Sequence, residues 1–166
     1  MQLTEHFSIE EFCASDTALR LGINNTLPGS LLPAAYQTAR GLEAVRRLLG
    51  GVPIKINSAF RCEALERAIT QKDFVAWCVR HSKDPSTAWP AYFAGKAHPK
   101  MLAVDFIAPK FGGPLAIAQK IAASQLEFDT VIEEGTWVHI AFGSAKRSTM
   151  TARFVNGTPT YTTGLA

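Results

Sequence analysis

The sequence predicts a single α+β domain in which N-terminal helices pack on a small antiparallel sheet formed by the later part of the chain. Through the first half, apolar residues recur at three- and four-residue steps, as on a buried helix face. In the second half, short apolar and β-branched runs alternate with turn residues, as in strands. The 166 residues, 47% of them hydrophobic, suffice for one core without disulfide support. Because no repeat or low-complexity linker divides the chain, we expect one domain over residues 1–166.

Helices dominate the expected order up to residue 79. Ser8, with Glu11 three residues later, has the capping-box signature of a short first helix. The main packing helix is expected over residues 30–49, where helical spacing continues up to a pair of glycines. A strand over residues 52–58 and a helix over residues 61–79 should follow.

The second half predicts a sheet with one further helix. Residues 82–95 contain two prolines and several aromatic residues, and predict a long loop or lid. The later strands and the helix are expected over residues 102–107, 115–124 (the helix), 128–132 and 136–142, with a final strand pair around the turn dipeptide Asn156-Gly157.

Charge and cysteine content restrict the class of partner. The net charge of +3 favours an anionic partner, but no run of Lys or Arg exceeds two residues, so we expect no nucleic-acid partner. No stretch approaches the roughly 20 apolar residues of a membrane span. The three cysteines lack CxxC spacing and should be free thiols. We expect a monomer made in the cytoplasm without a signal peptide.

His98, Asp105 and His139 form a candidate metal-ligand set. Two imidazoles and one carboxylate, with a fourth position left for water, suit a catalytic zinc ion. Asp105 lies in an apolar segment, where an unpaired carboxylate is costly to bury and a neighbouring cation is expected. The alternative is that each residue is an ordinary surface or core residue, and spacing alone does not decide between these interpretations.

Several motifs, taken in order, resemble those of the zinc D-alanyl-D-alanine carboxypeptidase-like peptidases. This family shares its fold with the Hedgehog signalling domain and includes many phage endolysins that cut peptidoglycan stem peptides. The resemblance spans residues 4–143 and implies a Hedgehog/D-Ala-D-Ala peptidase-like fold. The matching motifs are Phe7-Ser-Ile-Glu-Glu-Phe12, Ser15, Thr17-Ala18, Gly22-Ile23, Asn25, Ile56-Asn-Ser-Ala-Phe-Arg61, His98 with Asp105 seven residues later, and Trp137-Val-His139.

The resemblance implies that the three candidate ligands bind one zinc ion and that nearby residues bind substrate. Arg61 would bind the substrate carboxylate or stabilise an oxyanion, for which a planar guanidinium is suited. Without the resemblance, Arg61 would be interpreted as a surface residue after a strand. Ser58 would shape the same pocket or cap the following helix. Trp137 would contact substrate or pack in the core.

Glu133 and Glu134 are the candidates for the general base that a zinc peptidase of this family needs near its last ligand. Both could equally lie at a solvated hairpin tip. Side chains alternate between the faces of a strand. A two-residue turn would pair Glu133 with Thr136 and point it away from His139, whereas a three-residue turn would pair it with Trp137 on the face of His139. The family pattern favours Glu133, and Glu134 is the fallback.

Lys96 and Met101 depart from the family pattern, which has Ser and Gly at these positions. A longer segment before His98 adds an aromatic-rich insertion over residues 72–95, which is either a lid over the cleft or a surface insertion with its own small core around Trp77 and Trp89.

The function implied is a zinc-dependent peptidase that cleaves peptidoglycan stem or cross-link peptides. It would act as a phage endolysin on the cell wall after release from the host cytoplasm. The departures from the family pattern leave one alternative open, a non-catalytic zinc-containing module of the same fold that binds the cell wall or belongs to a virion. The bond that is cut also stays open.

Overall fold

Helices fill most of the first half of the computed structural model, which describes residues 1–166. The predicted capping box is confirmed, since the Ser8 hydroxyl accepts from the Glu11 backbone N–H and the Glu11 carboxylate accepts from the Ser8 backbone N–H. The predicted helices at 30–49, 61–79 and 115–124 are also confirmed. The helices are α1 (Ile9–Cys13), α2 (Asp16–Leu21), α3 (Leu32–Leu48), α4 (Glu63–Arg80), α5 (Trp89–Ala94) and α6 (Pro114–Ala122), with 3-10 turns at Gly29–Leu31 and His98–Lys100.

Six strands form one sheet in the order β1-β2-β4-β3-β5-β6. The strands are β1 (Lys55–Ser58), β2 (Ala103–Ile107), β3 (Thr130–Glu133), β4 (Val138–Ala141), β5 (Ser148–Val155) and β6 (Thr158–Thr163). The α+β class is confirmed, but the sheet is mixed rather than antiparallel, because β3 and β5 are parallel.

The parallel pair follows from the position of β4 in the sheet. β4 lies between β2 and β3, so both of its edges are occupied and β5 must pair with the free edge of β3. The connection after β4 returns to the start of β3, where the Arg147 and Ser148 backbone N–H groups donate to the carbonyls of Phe128 and Asp129. β5 therefore enters the sheet in the same direction as β3.

The main core lies between α3, α6 and one face of the sheet. Because strand side chains alternate, the residues between the core positions point to the opposite face, where Asp105 and His139 lie. The core residues on these elements are Ala35, Ala39, Leu42, Val45, Val104, Phe106, Ile117, Ala118, Ile121, Val131, Val138 and Ile140. None of the helices has the length and hydrophobicity needed to cross a membrane.

Residues 72–95 form the end of α4, a short connection and α5, rather than the predicted long loop over 82–95. Pro90 is tolerated in the first turn of α5, where its missing N–H has no helical partner to lose. Phe74, Cys78, Ala88, Trp89 and Tyr92 form a buried cluster separate from the main core, with Trp77 and Phe93 packed against it. The segment therefore contains a small core of its own around Trp77 and Trp89.

Glu43 on α3 fixes the N-terminal segment against the main core. Its Oε1 accepts from the His6 backbone N–H at 2.9 Å, and the His6 Nδ1 lies 3.1 Å from Oε2. Burial alone would raise the pKa of the Glu43 carboxyl, but the nearby Thr4 hydroxyl and the hydrogen bonds and charge of His6 outweigh it, and the pKa is lowered.

We predict that Glu43→Gln destabilises the protein by about 1–2 kcal/mol at neutral pH, since it weakens a hydrogen bond to a charged acceptor. Because the folded-state pKa of Glu43 is lowered, the carboxylate's contribution is complete at neutral pH and is lost as the pH falls through that pKa. Urea unfolding of both proteins at neutral pH and at about pH 3 should show the difference shrinking in acid. A constant difference would contradict this account.

Candidate metal centre and active site

His98, Asp105 and His139 meet on the open face of the sheet. Asp105 on β2 is directly opposite His139 on β4, so their side chains share a face. His98 lies in the 3-10 turn before β2. One potential ligand atom from each of the three lies within 4.8 Å of the other two. The sequence therefore predicted three residues that the fold does bring together, and they could hold a metal ion.

The hydrogen bond of His98 fits metal binding. His98 Nδ1 lies 2.7 Å from the Ala59 carbonyl oxygen and must carry the proton to donate to it, so Nε2 keeps its lone pair for a ligand. That Nε2 lies 3.4 Å from Asp105 Oδ1, and His139 Nδ1 lies 2.8 Å from the same oxygen. Two imidazole ligands and one carboxylate ligand, with a fourth coordination position open, suit a catalytic zinc ion.

Arg61 holds the second oxygen of Asp105. Its Nη2 donates to Asp105 Oδ2 at 2.6 Å, and its Nε donates to Ser58 Oγ at 2.8 Å. Burial would raise the pKa of Asp105, but His98 and His139 outweigh it and hold the pKa well below its usual range. Asp105 is therefore ionised and oriented, with one oxygen toward the histidines and one toward Arg61.

The same contacts decide between the alternatives for Arg61 and Ser58. Arg61 is not a surface residue, because only 12% of its side chain is exposed. Ser58 binds Arg61 and does not cap α4, whose N-cap is Cys62. A guanidinium has five N–H donors. Three of the Arg61 nitrogens contact Asp105, Ser58 and, at 3.5 Å, Glu66, which leaves two N–H groups for a substrate.

The register between β3 and β4 is not the one expected from a three-residue turn, in which Glu133 would pair with Trp137. Glu133 pairs with Val138, and Ile132 pairs with His139, so the loop is longer than three residues and Glu133 points away from the metal ligands. Its carboxylate forms an ion pair with Arg153 and accepts from the Gly135 backbone N–H at 2.7 Å. The expectation that Glu133 shares the face of His139 is therefore wrong.

Glu134, the fallback candidate, lies on the side of the metal ligands. It lines a cavity together with Asp105 and His139, whereas Glu133 does not. Burial raises the pKa of the Glu134 carboxyl, and the negative charge of Asp105 raises it further, against an opposing effect of His139. A raised carboxyl pKa moves closer to neutrality, as suits a group that accepts and returns a proton.

The cavity has a volume of about 660 Å³ and lies between α4 and the open face of the sheet. Trp137 lines this cavity and is not part of the main core, and its ring centre lies 5.8 Å from that of Phe154 on β5. Glu66 and Tyr161 also line it and were not predicted. Glu66 is only 1% exposed and lies beside Arg61. The sequence gives no sign of this, because a charged residue in a helix is usually on the surface.

Met101 occupies the position where the family has Gly, and its backbone is left-handed, with φ at 58°. Such a conformation favours Gly because Gly lacks a Cβ. The Met101 side chain is fully buried in the main core, and its carbonyl accepts from Thr38 Oγ1 at 2.6 Å. The tight turn between His98 and Asp105 thus survives the substitution, because burial of the side chain compensates for the strain.

The mixed sheet packs α3 and α6 on one face and carries the two-histidine, one-aspartate cluster on the other, which defines an α+β domain with a candidate metal centre. Residues 5–72 match the model of the family described as Peptidase M15, and this match supports the predicted assignment to the zinc D-Ala-D-Ala carboxypeptidase-like peptidases. It includes Ser58 and Arg61 but ends before His98. The search of curated proteins found no match. The candidate ligands therefore depend on the geometry described above.

We predict that Met101→Gly destabilises the protein by up to about 4 kcal/mol. Removing a fully buried Met side chain costs about 2–5 kcal/mol, and relief of the left-handed strain returns about 1–2 kcal/mol. Met101→Ala loses the same packing and keeps the strain, so it should be less stable than Met101→Gly. Denaturant unfolding of the three proteins checks this order, and an alanine variant more stable than the glycine variant would refute the argument from strain.

Proposed function

We propose that this chain is a zinc-dependent peptidase that cleaves stem or cross-link peptides of peptidoglycan. The observation that carries the proposal is the convergence of His98, Asp105 and His139 on one cavity that also contains Arg61 and Glu134. The match to the Peptidase M15 family supports peptidase activity. The choice of zinc is supported by the two imidazoles and one carboxylate of the donor set.

In the proposed mechanism, the residues of this chain position a peptide and move a proton. Zinc, when bound, supplies Lewis-acid polarisation of a carbonyl and lowers the pKa of water toward neutrality. Glu134 accepts the proton of the attacking water and returns it to the leaving amine. The two free N–H groups of Arg61 bind the substrate or the developing oxyanion. Arg61 also holds Asp105 in the orientation that zinc binding requires.

We further propose that the protein is a phage endolysin, made in the host cytoplasm and acting on the cell wall after release. The family resemblance supports this role, since many of its members are endolysins. The net charge of +3 would favour approach to an anionic cell envelope.

The metal centre is tested by His139→Ala. We expect the purified wild type to bind about one zinc ion per chain, and the variant to bind zinc at least about 100-fold more weakly, since loss of even a supporting contact to a ligand costs 10–100-fold. His81→Ala is the matched control, because His81 is an exposed histidine whose Nδ1 contacts only the Trp77 carbonyl of its own helix. Calorimetric zinc titration distinguishes them, and equal affinity in all three proteins would rule out the proposed centre.

The base is tested by Glu134→Gln against Glu133→Gln. Loss of a general base lowers kcat by about 100- to 10,000-fold, so Glu134→Gln should lose turnover and keep its zinc. Glu133→Gln breaks the ion pair with Arg153 and should lower stability rather than kcat. Peptide release from purified peptidoglycan, with zinc content measured in parallel, checks both. The reverse ranking of the two variants would reassign the base to Glu133.

The alternative of a non-catalytic module makes a different prediction for the wild type. A zinc-containing cell-wall-binding or virion protein would bind zinc and sediment with peptidoglycan, yet release no new amino groups from it. The enzyme should release them, and mass spectrometry of the fragments would identify the bond that is cut. Clearing of permeabilised cells by the wild type and not by His139→Ala would support the endolysin role.

A further inference from the structure

Two lysines line the cavity outside the metal centre. Lys96 Nζ lies 3.0 Å from Asp73 Oδ2 and 3.9 Å from the ring centre of Tyr92. Lys72, on α4, has its Nζ 3.4 Å from the Asn156 carbonyl oxygen on the turn between β5 and β6. Both lysines border the same cavity as Asp105 and His139. Neither is needed to hold the candidate metal ligands.

Asp73 is surrounded by more positive charges than are needed to neutralise its single carboxylate. Its Oδ2 accepts from the Tyr92 hydroxyl, and Arg80 Nη2 lies 3.8 Å from its Oδ1. Burial would raise the pKa of Asp73, but the Tyr92 hydrogen bond and the Lys96 charge outweigh it, and the carboxyl stays ionised. Two cations, Lys96 and Arg80, thus face one anion. Lys72 adds a further positive charge to the lining of the same cavity.

The cavity is therefore electrically polarised. Three carboxylates, those of Glu66, Asp105 and Glu134, border the metal centre, with Arg61 as the cation among them. On the wall that carries Lys72 and Lys96, these two lysines and Arg80 face the single carboxylate of Asp73. The remaining carboxylate of the cavity, that of Asp129, has its own cation, since Lys146 Nζ lies 3.8 Å from it. A peptide whose scissile carbonyl lies at the metal centre would present its neighbouring groups to this wall. A negative group would be favoured there over a neutral one.

We propose that Lys96, assisted by Lys72, forms a subsite for a carboxylate of the peptide substrate near the scissile bond. This inference rests on the proposed peptidase function. An ammonium group has three N–H donors, so Lys96 can keep its contact with Asp73 and donate to a substrate carboxylate as well. Its side chain is 25% exposed, which leaves the ammonium accessible from the cavity while part of its stem is covered.

The test compares synthetic stem peptides that differ in one carboxylate. One pair has the α-carboxylate of D-glutamate free or amidated, a second has the side-chain carboxylate of diaminopimelate free or amidated, and a third has the C-terminal carboxylate free or amidated. We expect the zinc-loaded wild type to prefer the free acid of at least one pair by about 10- to 100-fold in kcat/KM, the range for a hydrogen bond between charged groups. Equal kcat/KM in all three pairs would overturn the proposal.

Lys96→Met identifies the residue responsible. The variant should lose the preference because kcat/KM falls for the free acid and not for the amide. Lys96→Arg should keep a preference, and Lys110→Met, at an exposed lysine outside the cavity, should match the wild type. An equal loss on acid and amide would mean that Lys96 acts only through Asp73, and would overturn the subsite. Lys72→Met should reduce the preference for the free acid less than Lys96→Met does, since Lys72 only assists Lys96 in binding the carboxylate.

Binding measurements separate this inference from the proposed function. Calorimetry with the same peptides on zinc-loaded Glu134→Gln, with and without Lys96→Met, measures the preference without turnover. If the wild type hydrolyses no peptide but the acid binds more tightly in a Lys96-dependent way, the subsite stands and the proposed function fails. If neither binding nor hydrolysis distinguishes acid from amide, the subsite is wrong. Unfolding temperature and zinc content confirm that each variant is folded and loaded.

Discussion

The carboxylate of Asp105 is the group on which the candidate site depends. Its Oδ1 lies 2.8 Å from His139 Nδ1 and 3.4 Å from His98 Nε2, and its Oδ2 accepts from Arg61 at 2.6 Å. One buried side chain thereby joins β2, β4, the turn before β2 and the segment after β1. A carboxylate at this depth would be costly without these basic partners. The site and the centre of the sheet are therefore stabilised by the same charged contacts.

This dependence explains which parts of the site the sequence could predict. Asp105 could be singled out because a charged residue in an apolar strand needs a cation beside it. That His98 and His139 share an ion with it was implied by the family resemblance, since the spacing of the three residues did not decide this. The family resemblance assigned Arg61 to the site. Its contacts with Asp105 and Ser58 explain in the structure why it lies there. The helices and most strands were predicted because helical spacing and β-branched runs are local signals. The parallel pairing of β5 with β3 was not predicted, because it depends on which edge of the sheet stays free.

The choice of base shows the limit of local reasoning. Whether Glu133 or Glu134 faces His139 depends on the number of residues in one loop, and a change of one residue exchanges the two faces of a strand. The loop places Ile132 opposite His139, so Glu133 turns to Arg153 and Glu134 to the cavity. Arg153 lies on β5, some twenty residues later. No feature of the hairpin sequence alone could reveal this partner.

Lys96 and Met101 depart from the same family motif in physically different ways. Met101 preserves the left-handed turn and packs its side chain in the main core. Lys96 instead places a positive charge on the cavity wall, where it contacts Asp73 and Tyr92 of the segment 72–95. Tyr92 belongs to the small buried cluster of this segment, and Asp73 is the residue before Phe74 of that cluster. Residues 72–95 thus contribute to the charge of the cavity, whereas β2, β4 and the 3-10 turn before β2 position the candidate metal ligands.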